Sequence, residues 1–263
     1  LPPSIQAWSR LMGQYHSRFA DLPVGLRREQ LLRWDRPPVS ESPAAMWVHI
    51  GLASLAHRER NLEETRRRLA LASEIRRPDA VAVLEYLLLT ARVASDDGEH
   101  EVEADALERV ELSIQTAPLS EMDRLCYRAR LQDQRAYRVS RDWRSKPDAL
   151  QTALKLYEAI PEVKSPPFAA FRRALGRAWC LWRLGEQELA RQLAQEACDH
   201  AGDGGLVRFR VMALNLLARI EGDTPEGQRA GERAHRLARE LNDAHLVWRS
   251  VHHPRRIDDT NTP

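Results

Sequence analysis

Small residues return along this chain at a nearly fixed interval. Ala178, Gly185, Ala190 and Ala197 recur 37 residues later as Asn215, Gly222, Gly227 and Ala234, and Ala53 and Ala72 recur 38 residues later as Ala91 and Val110. Each set marks the same places: a small residue in one helix-patterned segment, a turn, then small residues in the next. Two helices approach closely only where side chains are short, so alanine and glycine recur at crossings while leucine fills the flanking space. A period in this range is the signature of stacked helix pairs, none of which can bury its apolar face alone.

The hydrophobic spacing agrees. Trp8, Leu11, Met12, Tyr15 and Phe19 fall at three-and-four intervals behind Ser4, a good cap for a first helix. Pro23 reopens the chain for a helix through Leu26, Leu31 and Leu32, which Asp35-Arg36-Pro37-Pro38 stops, because proline disfavours helix in the residue before it. From Ser42-Pro43 onward the pattern predicts pairs over 43–59 with 62–75, 79–96 with 100–115, 119–143 with 147–160, 167–184 with 186–201, and 206–221 with 225–241. Pro78, Pro118, Pro147, Pro161, Pro166, Pro167 and Pro225 mark starts and stops, and Gly98, Gly185 and Gly222 stand where a tight turn is needed.

The run Ala178-Trp179-Cys180-Leu181, then Leu184-Gly185-Glu186, then Ala190, Ala194 and Ala197, resembles the tetratricopeptide repeat (TPR) family, and Trp8, Leu11 and Tyr15 look like a degenerate first copy. The chain departs from that family in its longer period, 37 to 38 residues against about 34, and in a long first helix around Tyr127 to Trp143 in the third pair. The resemblance implies an all-α fold, a right-handed α-solenoid of about six antiparallel helix pairs with a C-terminal capping helix. Its expected divisions are a degenerate helix pair over 1–36, a linker over 37–43, helical repeats over 44–242, a capping helix over 243–254 and a disordered polar tail over 255–263. In this family the first helix of each pair lines a concave groove. The resemblance therefore implies groove positions at Trp47, His57 and Arg58, then Arg92, then Arg172, Trp179, Trp182 and Arg183, then Arg219. Aromatic side chains bury area at small entropy cost and guanidinium forks grip carboxylates, a mixture enriched in interface hot spots.

Composition narrows the function classes. A mean hydropathy of -0.53, with no apolar run near the roughly 20 residues that cross a bilayer, argues against a membrane span. The opening Leu1-Pro2-Pro3 has neither the basic patch nor the apolar stretch of a signal peptide, and the sequence leaves open whether the chain is a fragment or a processed product. A net charge of +2 and a pI of 8.6 fall short of the clustered basic footprint of a nucleic-acid binder, so nucleic acid is not the expected partner. Of 40 basic residues only Lys146, Lys155 and Lys164 are lysines, leaving 37 arginines, a bias that a GC-rich coding sequence explains most simply. Cys126, Cys180 and Cys198 are odd in number and set in helical patterns, which fits reduced thiols in a cytoplasmic protein.

No nucleotide, hydrolase or metal motif has convincing spacing in the sequence. His252-His253 are neighbours whose side chains point in different directions and read as a solvated tail. Asp96-Asp97-Gly98-Glu99 lacks the alternating ligands of a calcium loop and reads as a turn into a helix. An enzyme reading would have to rest on His57 with Glu85 or Glu99, for which no spacing speaks. Catalysis, metal and cofactors are thus not expected.

The leading expectation is a protein–protein interaction scaffold that binds an extended or helical peptide in its groove, an acidic one suiting the arginines. The alternative is the sensor or regulatory segment of a larger bacterial signalling protein, since the run from Leu237 to Trp248 is similar to helical repeats of large transcriptional activators. The sequence leaves the oligomeric state open.

Overall fold

The computed structural model describes residues 23–161 and 167–251. Among these the chain is all-helical, with twelve helices and no strand. They are α1 (Val24–Trp34), α2 (Ala45–Arg58), α3 (Leu62–Ser73), α4 (Ala80–Asp97), α5 (His100–Thr116), α6 (Glu121–Arg141), α7 (Ala149–Glu158), α8 (Pro167–Arg183), α9 (Gln187–Asp203), α10 (Val207–Glu221), α11 (Pro225–Glu240) and α12 (Ala244–Val251). No described helix is long and apolar enough to cross a membrane. The helix expected over Trp8 to Phe19, the His252-His253 pair and the 255–263 tail lie outside the described residues.

Local chemistry sets the helix ends. Asn61 accepts a hydrogen bond from the Glu64 amide at the start of α3, and Asp79 accepts from the amides of Val81 and Ala82 at the start of α4. Thr224 caps α11, with Pro225 in its first turn where a missing N–H costs nothing. At the far ends, α4 and α8 close in the same way. The Glu99 amide donates to the Ala94 carbonyl at 2.8 Å and the Glu186 amide to the Leu181 carbonyl at 2.9 Å. This closure needs a left-handed residue, supplied by Gly98 (φ 78°) and Gly185 (φ 90°). The α2 end makes the equivalent bond, Asn61 N–H to the Ala56 carbonyl at 3.0 Å, but places Arg60 in the left-handed position at φ 58°.

The chain divides into two compact units, the boundary falling inside α6 after Leu131. In the first, Leu31, Trp47, Ile50 and Leu55 pack with Ala72 and Ala82. Leu84, Leu87 and Ala91 pack with Ala106, Leu107, Val110, Ile114 and Tyr127. In the second, Ala178, Leu181, Ala190 and Ala194 pack with Leu216 and Ile220. Phe171, Ala197 and Ala201 join Val211, Ala234, Ala238 and Leu246. Burying each leucine or isoleucine contributes about 1.5–3 kcal/mol, so these clusters are the main stabilising term. From α1 to α5 and from α7 to α12 each helix packs on the next, and so do helices two apart, α2 with α4, α8 with α10, and α10 with α12.

Two substitutions test this account by urea denaturation. Arg60→Gly is expected to raise stability by about 0.5–1 kcal/mol, because glycine adopts the left-handed conformation without a Cβ penalty. An unchanged or lower value would mean that Arg60 is held there by contacts worth more than the strain. A Cβ at Gly176 in α8 would lie 2.2 to 2.4 Å from ring atoms of the buried Tyr157, so Gly176→Ala is expected to cost about 1–3 kcal/mol. The control is Gly25→Ala in α1, where a Cβ meets nothing within 4 Å and helix propensity predicts a gain of about 0.5–1 kcal/mol.

Candidate functional site

The groove positions expected from the sequence fall into different surroundings. In the first unit, Trp47 is 3% exposed, and its indole N–H donates to Asp79 Oδ2 at 3.0 Å. It faces the core and ties α2 to the cap of α4, which corrects its assignment to an open groove. His57 Nε2 lies 3.1 Å from Asp96 Oδ2. Arg58 and Arg92 are half-buried on α2 and α4. Glu85 accepts from the Tyr127 hydroxyl at 2.7 Å and from both terminal nitrogens of Arg130, while Glu99 pairs with Arg66 at 3.1 Å. His57, Glu85 and Glu99 therefore each meet a different partner.

In the second unit, Arg172 on α8 bonds Asp133 on α6 at 2.5 Å, both side chains largely buried. That pair fixes one helix against the other and engages the fork that the sequence suggested for a ligand. Trp179 is half-buried against the cluster around Ala178 and Leu216. Trp182, Arg183 and Arg219 are drawn together at one end of the unit. Arg183 is the last residue of α8, and its guanidinium carbon lies 4.2 Å from the centroid of the Trp182 ring and 5.1 Å from that of Trp143. Trp143 sits in the turn after α6. Stacking of this kind uses the faces of a guanidinium and holds its plane, while hydrogen bonding uses its edge.

Arg219 lies in the last turn of α10. Burial first, then the charges of Arg249 and Arg183, hold its pKa down to about 9. Arg249, in the last turn of α12, is also lowered, chiefly by burial, and Tyr137 of α6 acts on it in the opposite sense. The end of a helix favours a cation by its dipole; Arg219 is pushed the other way, so burial and cationic neighbours outweigh that help. Arg183 and Arg249 thus act electrostatically on Arg219, and Arg183 lies against Trp143 and Trp182. Such an arrangement offers forked donors with restricted orientation to an anion. Arg249 was absent from the sequence-derived set, and the signal that could have found it is its place in the last turn of the helix following α11, matching Arg219 in α10.

The cysteines stand apart from this chemistry. Burial pushes Cys180 and Cys198 up to about 12, and burial likewise raises Cys126. The reactive species is the thiolate, so at pH 8 an aromatic disulfide reagent is expected to label Cys180 and Cys198 only on unfolding. Labelling of either in the folded protein at the rate of a free peptide thiol would contradict this burial.

No protein-family model matches the sequence and no match is found among curated proteins, so any functional reading comes from the geometry of these residues.

Proposed function

We propose that this chain is a protein–protein interaction module of TPR-like helix pairs, stacked as a right-handed solenoid with α12 as its cap. Its second unit holds an acidic segment of a partner protein or peptide. The observation that carries the reading is Arg183 lying against Trp182 and Trp143, with Arg219 within its electrostatic range. An acidic group placed there forms charge-assisted bonds to guanidinium, which are about twice as strong as neutral ones. The aromatic rings add area that needs little ordering on binding.

Supporting the repeat assignment, the helical positions that recur at 37 to 38 residues are buried in every copy: Ala53, Ala72, Ala91, Val110, Ala178, Ala190, Ala197, Asn215, Gly227 and Ala234. The partner is acidic rather than a nucleic acid because the charge is local: the whole chain is close to balance at +2. Three separate, shielded thiols suit the cytoplasm, where cysteines stay reduced.

The test is calorimetric titration of the chain with a glutamate-rich peptide at low and physiological salt. Wild type is expected to bind, more weakly as salt rises. Arg219→Gln, with an unchanged circular dichroism spectrum, is expected to lose roughly tenfold or more in affinity, the effect of one charged hydrogen bond. Equal binding by both proteins, or none by wild type, would remove this site from the function.

A further inference from the structure

We infer that α1 is an acid-released end of the first unit: a proton taken up on His49 Nδ1 breaks the bridge by which Arg68 holds the ring and Asp35 together, and α1 comes away from α2 and α3.

His49 lies in α2 at 8% exposure, and its Nδ1 is 3.3 Å from a terminal nitrogen of Arg68 in α3. A guanidinium donates and cannot accept, so the ring nitrogen facing it must carry the lone pair. His49 is therefore neutral, with its proton on Nε2. The same Arg68 nitrogen donates to Asp35 Oδ2 at 2.5 Å, and Arg68 Nε donates to Glu64 Oε1 at 2.8 Å. Asp35 is the residue that ends α1, its amide donating to the Leu31 carbonyl at 2.9 Å. One guanidinium thus spans α1, α2 and α3.

A second proton on the ring has one place to go, the nitrogen that accepts from Arg68. There it turns an acceptor into a donor and sets two cations face to face in a buried place. The charges acting on the ring are Asp35 from the end of α1 and Arg68 and Arg67 from α3, and α4, which also packs on α2, adds none among the described residues. With Glu64 these make two carboxylates and two guanidiniums, a set that balances without the proton. Asp35 offers no escape: its Oδ1 lies 3.9 Å from Nδ1, so pairing with an imidazolium draws that carboxylate away from Arg68. Either outcome loosens the tie from α3 to the end of α1.

Little else holds α1. Of its eleven residues Arg27 and Leu31 are buried, while Leu26 is 55% and Leu32 44% exposed. Leu31 seats on Gly51 of α2, where a Cβ would meet its Cδ1 at 2.9 Å. The Arg28 pair with Glu59 is exposed and adds little. A segment with so few buried contacts opens before the rest of its domain, and its departure uncovers the α2 surface around Gly51. Burial holds the pKa of His49 below the ordinary 6.5, with Asp35 opposing and Arg68 and Arg67 adding to the fall. Once α1 lifts, the ring regains its ordinary proton affinity. The closed form is therefore fully favoured above about pH 6.5 and loses ground as the pH drops from there toward the lower value of the closed form. Glu64, held down to about 2, keeps its charge through that range.

The experiment is amide hydrogen exchange of the full chain at about pH 7.5 and about pH 5.5, on either side of the ordinary histidine pKa, with the intrinsic pH dependence of exchange divided out. Nitrogen NMR of the His49 ring accompanies it. Wild type is expected to show the Nε2–H tautomer at the higher pH. At the lower pH the protection of α1 amides is expected to fall roughly tenfold, the worth of one charged hydrogen bond, while that of α8, which holds no histidine, stays within about twofold. His49→Asn, whose Oδ1 keeps an acceptor in the place of Nδ1 and does not titrate, is expected to leave α1 equally protected at both pH values. Asp35→Asn is expected to lower α1 protection already at the higher pH and to shrink the further loss on acidification. Each variant is first shown to keep the wild-type helical content; should His49→Asn not fold, the wild-type tautomer and the Asp35→Asn response decide by the same criteria. Wild-type α1 protection that is alike at the two pH values overturns the inference, as does a loss that persists in full in His49→Asn. A neutral ring that carries its proton on Nδ1 overturns it too.

Discussion

Helices in this chain come into contact where one of them offers no more than a methyl group or a hydrogen. Ala53, Ala72, Ala91, Ala178, Ala190, Ala197 and Ala234 are each 1% exposed or less. A larger side chain at any of them would separate two backbones and forfeit the dispersion contacts of both faces. At Gly227 the restriction is tighter, since a Cβ there would lie 2.3 Å from the Gly222 carbonyl oxygen, and the position tolerates only hydrogen. Close approach within a pair also governs what happens between pairs. Because α8, α10 and α12 pack in succession, side chains in their last turns are brought within electrostatic reach although they lie 36 and 30 residues apart in the chain. The arginine site is a consequence of the alanine crossings.

Both units bury arginine. In the first, Arg68 is gripped by Asp35 at 2.5 Å and by Glu64 at 2.8 Å, and Arg130 by Glu85. The Arg67 and Arg68 guanidiniums, through hydrogen bonds to Glu64, hold that carboxylate down to about 2. Arg172 with Asp133 extends this pattern into the second unit. A buried ion pair of this type contributes little net stability, because desolvation offsets most of the Coulomb gain, but removing one partner is expensive. It therefore acts as a register device between helices. Arg219 is placed otherwise: its cationic form is disfavoured by the sum of its surroundings.

Most of the fold could be read before any coordinates. The ten helices expected between residues 43 and 241 all form, with ends displaced by no more than two residues, because proline, glycine and capping side chains act locally and leave a local trace. The site was legible only in part. Trp47, expected in the groove from repeat position, has its indole drawn into the core by Asp79, 32 residues away, because helical periodicity cannot tell a core face from an adjacent groove face. Arg172 is likewise claimed by Asp133, 39 residues away. Arg249 escaped because the interval that relates it to Arg219 is shorter than the repeat, the connection from α11 to α12 comprising only Leu241, Asn242 and Asp243.

The arginine-rich composition acquires a physical meaning at this site. Burial and cationic neighbours hold the Arg219 guanidinium down to about 9, which leaves it protonated at neutral pH. Lysine starts from a lower pKa and hydrates more strongly, so the same surroundings disfavour its charge more. Only arginine can be buried beside two other cations and remain a cation, and only its planar fork can be clamped by stacking on Trp182 and still present hydrogen-bond donors at its edge. A genomic bias toward arginine codons supplies the residue without a functional cause, but it does not choose where guanidiniums gather. The positions of Arg183, Arg219 and Arg249 in the last turns of α8, α10 and α12 are set by the packing of those helices.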